Sequence, residues 1–200
     1  MKREHILDFV YNEFTSLGIK GVSIDGVAAS LRISKKTIYE MFPNKEKLFQ
    51  ASLEHKFGKL VVDFSQPQEV QVPVLCQIIR SSVQLFKIMN KISQHFFDEV
   101  KAYPESVEYM KGITASLKEM GRERFIQGVE EGYLMEDVDF EIVGKMLHLY
   151  IMKMREEDGG KYSPAQICYK SLIIILRGVC TEKGRKLLDS LHNKEIEEIG

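Results

Sequence analysis

The chain has 200 residues, 44% hydrophobic and 28% charged, which is enough for one large domain or two smaller ones, each with a real core. The composition excludes disordered, collagenous and disulfide-framework chains. Net charge is −1 overall, but residues 1–60 hold ten basic and seven acidic side chains (+3), leaving −4 on the rest. A mildly basic end on a mildly acidic body fits a polyanion partner at that end alone.

Cys76, Cys168 and Cys180 are odd in number and form no CxxC pair, which predicts free thiols in a reducing compartment. No apolar segment follows the basic start, so no signal peptide is expected. The longest apolar stretch, Ser171–Leu176, is far too short to span a bilayer. The expectation is a soluble, cytoplasmic protein.

Helical periodicity dominates the chain. Ile6, Leu7, Phe9, Val10, Phe14 and Leu17 recur at steps of three and four, predicting a first amphipathic helix from about Lys2 to Leu17 with Gly18 as its C-terminal cap. Ser23 caps a short helix over Ile24–Leu31, with Asp25 in its first turn. Ser34 caps another over Lys35–Met41 or Phe42, which Pro43 ends. Asn44 opens a fourth helix that continues past Leu60. The pattern breaks around Ser65-Gln-Pro-Gln and resumes near Val72-Pro73, running to about Met89. Further helices are expected at 91–101, 104–131 and 140–157. After an Asp158-Gly159-Gly160 loop, Ser163-Pro164 starts the last long helix. That helix runs to about Cys180 and continues, after a break near Gly184, to Asn193. No strand pattern and no internal repeat interrupts this all-α reading.

Two short helices joined by a tight turn and braced by a longer one form a helix-turn-helix. The second short helix must be polar on the face that enters the major groove and apolar on the other. Ser34-Lys-Lys-Thr-Ile-Tyr-Glu-Met-Phe42 fits: Ile38, Met41 and Phe42 face inward, while Lys35, Lys36, Thr37, Tyr39 and Glu40 stay outside. Lysines can neutralise phosphates or reach base edges, and hydroxyls can bind phosphate oxygens. Read from these residues alone, the same segment also suits a three-helix bundle with a solvated polar face.

The run Ser23-Ile-Asp-Gly-Val-Ala-Ala-Ser-Leu-Arg-Ile-Ser-Lys-Lys-Thr-Ile-Tyr-Glu-Met-Phe-Pro-Asn-Lys-Glu-Lys-Leu48 resembles the DNA-binding domain of the TetR family of bacterial regulators. Ser23, Val27, Ala28, Ile33, Ser34, Thr37, Ile38, Tyr39, Phe42, Lys45, Glu46 and Leu48 match that pattern at the required spacing. The resemblance covers about a quarter of the chain. It implies an N-terminal three-helix DNA-binding domain, residues 1–48, followed by a helical effector-binding and dimerisation domain, residues 49–200. It further implies that Thr37, Tyr39 and Lys45 contact phosphates, and that Lys35 and Lys36 lie in or beside the groove. With Ser23, Arg32 and Ser34, these are the candidate DNA-binding residues. Leu31 and Arg32 replace a small residue and a glycine of the family turn, Lys36 replaces a glycine, and Met41 a tyrosine. Arg32 must therefore adopt a geometry that suits glycine.

Beyond residue 65 the resemblance is only one of helical content and length. It implies a homodimer formed by the last two long helices, about 140–157 and 164–180. Phe140, Val143, Leu147, Tyr150, Ile151 and Met154 on the first, and a nearly all-round apolar second helix, allow it. The same apolar pattern also suits a buried core helix in a monomer. Dimerisation would set two recognition helices about 34 Å apart on a palindromic operator. Phe86, Met89, Phe96, Tyr103, Met110, Met120, Met146 and Tyr150 are the candidates for a pocket taking a small apolar effector. Bulky side chains at this spacing equally form ordinary core.

No nucleophile elbow, phosphate loop or HExxH motif is present, so no enzyme is expected. His95 with Asp98 and Glu99 has helical spacing but no second His or Cys nearby, so no metal or cofactor is expected either. Two functions remain in view. One is an effector-released repressor; the other is a DNA-binding dimer that is constitutive or governed by a partner protein.

Overall fold

The computed structural model describes residues 3–65, 72–89, 91–157 and 164–199. Among them the chain is helical, apart from one isolated antiparallel bridge between Leu134 and Cys180. The helices are α1 (Arg3–Leu17), α2 (Ile24–Leu31), α3 (Lys35–Met41), α4 (Lys45–Ser65), α5 (Val74–Met89), α6 (Gln94–Glu99), α7 (Pro104–Glu130), α8 (Phe140–Glu157), α9 (Pro164–Val179) and α10 (Glu182–Ile199), with a short 3-10 turn at Val100–Ala102. The stretch expected as one helix over 91–101 is thus a six-residue helix plus that turn. The expected break after Ser65, the Asp158–Gly160 loop and the Ser163 cap lie outside the described residues.

The chain divides into two compact units: residues 1–66 with 91–117, and residues 67–90 with 118–200. In the first, α1 packs along α4. Ile6, Leu7, Val10 and Phe14 on α1, and Leu48, Phe49, Leu53 and Phe57 on α4, are all buried. Their i, i+3, i+4 spacing gives each helix one apolar face. Phe49 is the hub, meeting Phe14 edge-to-face at 5.1 Å, Phe96 at 5.9 Å and Tyr103 at 5.4 Å. The boundary expected at residue 48 falls inside α4, because Leu48, Phe49 and Leu53 belong to one continuous buried face.

In the second unit, α9 packs against α5, α8 and α10. Val74, Leu75, Ile78 and Ile79 of α5 and Leu172, Ile173 and Leu176 of α9 build a core with Leu134. Phe125 and Phe140 stack in parallel at 4.5 Å where α7 and α8 meet. The break in the last helical stretch lies at Cys180-Thr181 rather than at Gly184. There the Thr181 N–H donates to Tyr133 O at 3.0 Å, and the Thr181 hydroxyl donates to Gly132 O at 2.7 Å. Gly184 sits inside α10, where a Cβ would lie 2.2 Å from Tyr133 O. Its glycine reflects close backbone approach, not helix termination. No helix among the described residues is long and apolar enough to cross a membrane.

Candidate nucleic-acid interface

Each turn of the N-terminal motif closes through its own local chemistry. Ser23 has extended backbone, and its Oγ accepts the Gly26 N–H at 3.0 Å. This removes one of the unpaired donors at the start of α2, a contribution of about 1 kcal/mol. At the other end Arg32 adopts φ +54, ψ +43, the left-handed region. The Arg32 N–H donates to Ala29 O at 3.1 Å and the Ile33 N–H to Ala28 O at 3.0 Å. That pair of bonds is the Schellman arrangement. Its hydrogen bonds oblige a non-glycine residue to take the glycine geometry, at a cost of about 1–2 kcal/mol.

One residue later the chain starts α3. Ser34 Oγ accepts the Thr37 N–H at 3.0 Å and lies 2.8 Å from Thr37 Oγ1. Ile38 and Phe42 are buried and Met41 half-buried, while Lys35, Lys36, Tyr39 and Glu40 are exposed and Thr37 is half-buried. Phe42 ends the helix with extended backbone, φ −138 and ψ 109, as the residue before a proline should. Asn44 Oδ1 then accepts the Lys47 N–H at 2.8 Å and opens α4. Lys45, in that first turn, is half-buried. Burial pushes its ammonium below the usual lysine range, and the Glu99 carboxylate partly restores it.

Ser23 and Ser34 act as caps in the structure, Thr37 donates its N–H to the Ser34 cap, and Arg32 forms the turn. Lys35, Lys36 and Tyr39 share the exposed side of α3. Three neighbours had no signal in the sequence. Asp25 of α2 pairs with Lys35, where the sequence suggested only a favourable helix-dipole charge. The Arg3 guanidinium lies over the Phe42 ring, 5.2 Å from its centroid. Glu99 reaches the turn after α1, accepting the Lys20 N–H at 2.7 Å. Nothing in a local window links residues this far apart.

The eight pocket candidates divide between the two units. Phe96 is buried and Tyr103 half-buried on Phe49 in the first unit, where Met110 is half-buried too. In the second, Phe86 is buried with Cys168 and Leu147, Met89 and Met120 are half-buried, and Met146 and Tyr150 are exposed. Helical periodicity marked all eight as apolar-face residues; it carried no information about which unit each face would join.

Residues 6–52 match the model of the bacterial regulatory proteins, tetR family. Over nearly its whole length the chain also aligns with the HTH-type transcriptional repressor KstR2 of Mycobacterium tuberculosis, at 20% identity, covering 90% of this chain and 94% of that one. Residues 6–52 thus carry a segment of the TetR type. Solved TetR-type structures share its fold. The regulator PfmR from Thermus thermophilus superposes with a TM-score of 0.65 at 21% identity, over 88% of this chain and 98% of that one. FadR from Bacillus subtilis, in complex with stearoyl-CoA, superposes with a TM-score of 0.64 at 15% identity, over 89% and 100%. The family match spans the caps, the turn and α3. These therefore correspond to the helix-turn-helix region of TetR-type regulators.

Proposed function

We propose that this protein is a TetR-type repressor that binds a palindromic operator as a homodimer and releases it when a small apolar effector binds the second unit. The observation that carries the DNA-binding half is α3 itself. A helix anchored by Ile38 and Phe42 presents Lys35, Lys36 and Tyr39 to solvent on its other side. In this reading α3 enters the major groove, with Lys35 and Lys36 at or beside base edges. Thr37, Tyr39 and Lys45 bind phosphates. Arg32 lies at the groove edge, and the Ser23 and Ser34 caps present helix starts to the backbone.

Dimerisation is supported by α8. Ile142, Met146, Leu149 and Tyr150 are 54%, 61%, 68% and 50% exposed, and their spacing places them in one row along the helix. Ile174, 68% exposed, adds to the apolar surface from α9. So many large apolar side chains in water mark an interaction face, and a two-fold pairing of α8 and α9 would cover it. The side chains of Ile151 and Met154 lie outside the described ones. Release by an effector draws support from the relatives, one named a ketosteroid transcriptional regulator and another solved with stearoyl-CoA. Within the second unit Phe86, Met89 and Met120 are the candidate effector contacts.

Selection of duplexes from a random DNA pool tests the first half. A palindromic consensus bound by two protomers supports the reading, and failure to enrich any sequence at low salt refutes it. Titrating the selected complex with sterols and acyl-CoAs tests the second half. Release of DNA together with a raised melting temperature supports an effector; no release by any of them removes that half.

A further inference from the structure

The six-residue α6 is fastened to the end of α1 and the turn that follows. The Ser93 N–H donates to Thr15 O at 2.7 Å. The Lys20 N–H donates to Glu99 Oε2 at 2.7 Å, across 79 residues of sequence. Gly18 lies against the same helix: a Cβ there would sit 3.1 Å from Glu99 Oε2 and 3.3 Å from His95 Cβ. A carboxylate accepting a backbone N–H makes one of the stronger neutral-to-charged hydrogen bonds. The turn it holds leads, within three residues, to the Ser23 cap of α2. The same carboxylate acts electrostatically on Lys45 at the start of α4. One side chain outside the helix-turn-helix thus holds the turn before α2.

We propose that Glu99 is a positioning residue for DNA binding: it fixes the turn ahead of α2 through the Lys20 amide. The inference rests on the DNA-binding reading above. Glu99→Gln keeps an oxygen acceptor for the Lys20 N–H; Glu99→Ala removes it.

The probe is the duplex of about 30 base pairs, three helical turns, selected by the wild-type protein. Glu99→Ala binds it about two- to fivefold more weakly, the loss of one hydrogen bond. Glu99→Gln, with its acceptor in place, restores wild-type binding. Glu99→Ala loses hydrogen-exchange protection at the Lys20 amide, whereas Glu99→Gln retains it. Equal binding by Glu99→Ala and wild type, or no rescue by Glu99→Gln, overturns the positioning role. Unchanged Lys20 protection in Glu99→Ala overturns the clamp. If the wild-type protein selects no duplex, the DNA-binding reading has failed, and the proposed role in it falls too. Lys20 exchange then still shows whether the clamp itself exists.

Discussion

Ser34 and Thr37 close the first turn of α3 together: the Ser34 Oγ accepts the Thr37 N–H at 3.0 Å and lies 2.8 Å from the Thr37 hydroxyl. The cap holds the start of a seven-residue helix, too short to persist by its own propensity. Ser34→Ala should cost about 1 kcal/mol and weaken DNA binding. Urea denaturation and titration against the selected duplex check both effects. A variant with wild-type stability would deny the cap its role.

Ile38 is wholly buried, the inward anchor of the same helix. Ile38→Ala should cost about 2–5 kcal/mol, since the surrounding helices close the cavity only in part. Its effect on stability should exceed that of Ser34→Ala several-fold. Denaturant midpoints of the two variants at matched slopes make the comparison.

Arg32 occupies the left-handed region. Arg32→Gly removes about 1–2 kcal/mol of backbone strain and returns part of it as unfolded-state entropy, about 0.4–1 kcal/mol. The expected net effect is a gain of about 0.5–1 kcal/mol in stability with weaker DNA binding from the lost cation. Gly18, at φ +81 against Glu99 and His95, should respond the other way. Gly18→Ala should destabilise by at least about 1 kcal/mol. Thermal melting of the two variants should show shifts of opposite sign.

Leu149 stands 68% exposed within the apolar row of α8. Leu149→Glu should leave the fold intact, because the side chain contributes little to its own core, and should convert a dimer to a monomer. Sedimentation equilibrium reads the mass directly. A variant that still sediments as a dimer would place the interface elsewhere.

Glu141 accepts a hydrogen bond from Lys118 at 2.8 Å and sits 3.1 Å from Lys145. The Lys118 and Lys145 hydrogen bonds, with their charges, lower its carboxyl pKa from 4.5 to about 2. The folded value lies below the unfolded one. The pair's contribution is therefore present above about pH 4.5 and lost as pH falls toward about 2. Glu141→Gln should flatten the dependence of unfolding midpoint on pH in that window, and salt should shrink the difference because the site is fully exposed.

The local grammar of the first 48 residues sufficed to place α1 through the start of α4, the Ser23 and Ser34 caps, the end of α3 before Pro43 and the unusual demand on Arg32. Each depends on residues no more than five apart, so the linear sequence contains both partners. The tertiary structure alone decided that Phe96 and Tyr103 join the core around Phe49. It also showed Glu99 reaching back to Lys20 and Asp25 engaging Lys35. The helical break it places at Cys180-Thr181 is where Tyr133 and Gly132 supply hydrogen-bond acceptors. Periodicity identifies an apolar face but not the surface that covers it, as α8 shows: Val143 and Leu147 turn inward while Met146 and Tyr150, two of the expected pocket residues, remain exposed. Packing partners lie dozens of residues apart, where only the folded chain brings their chemistry together.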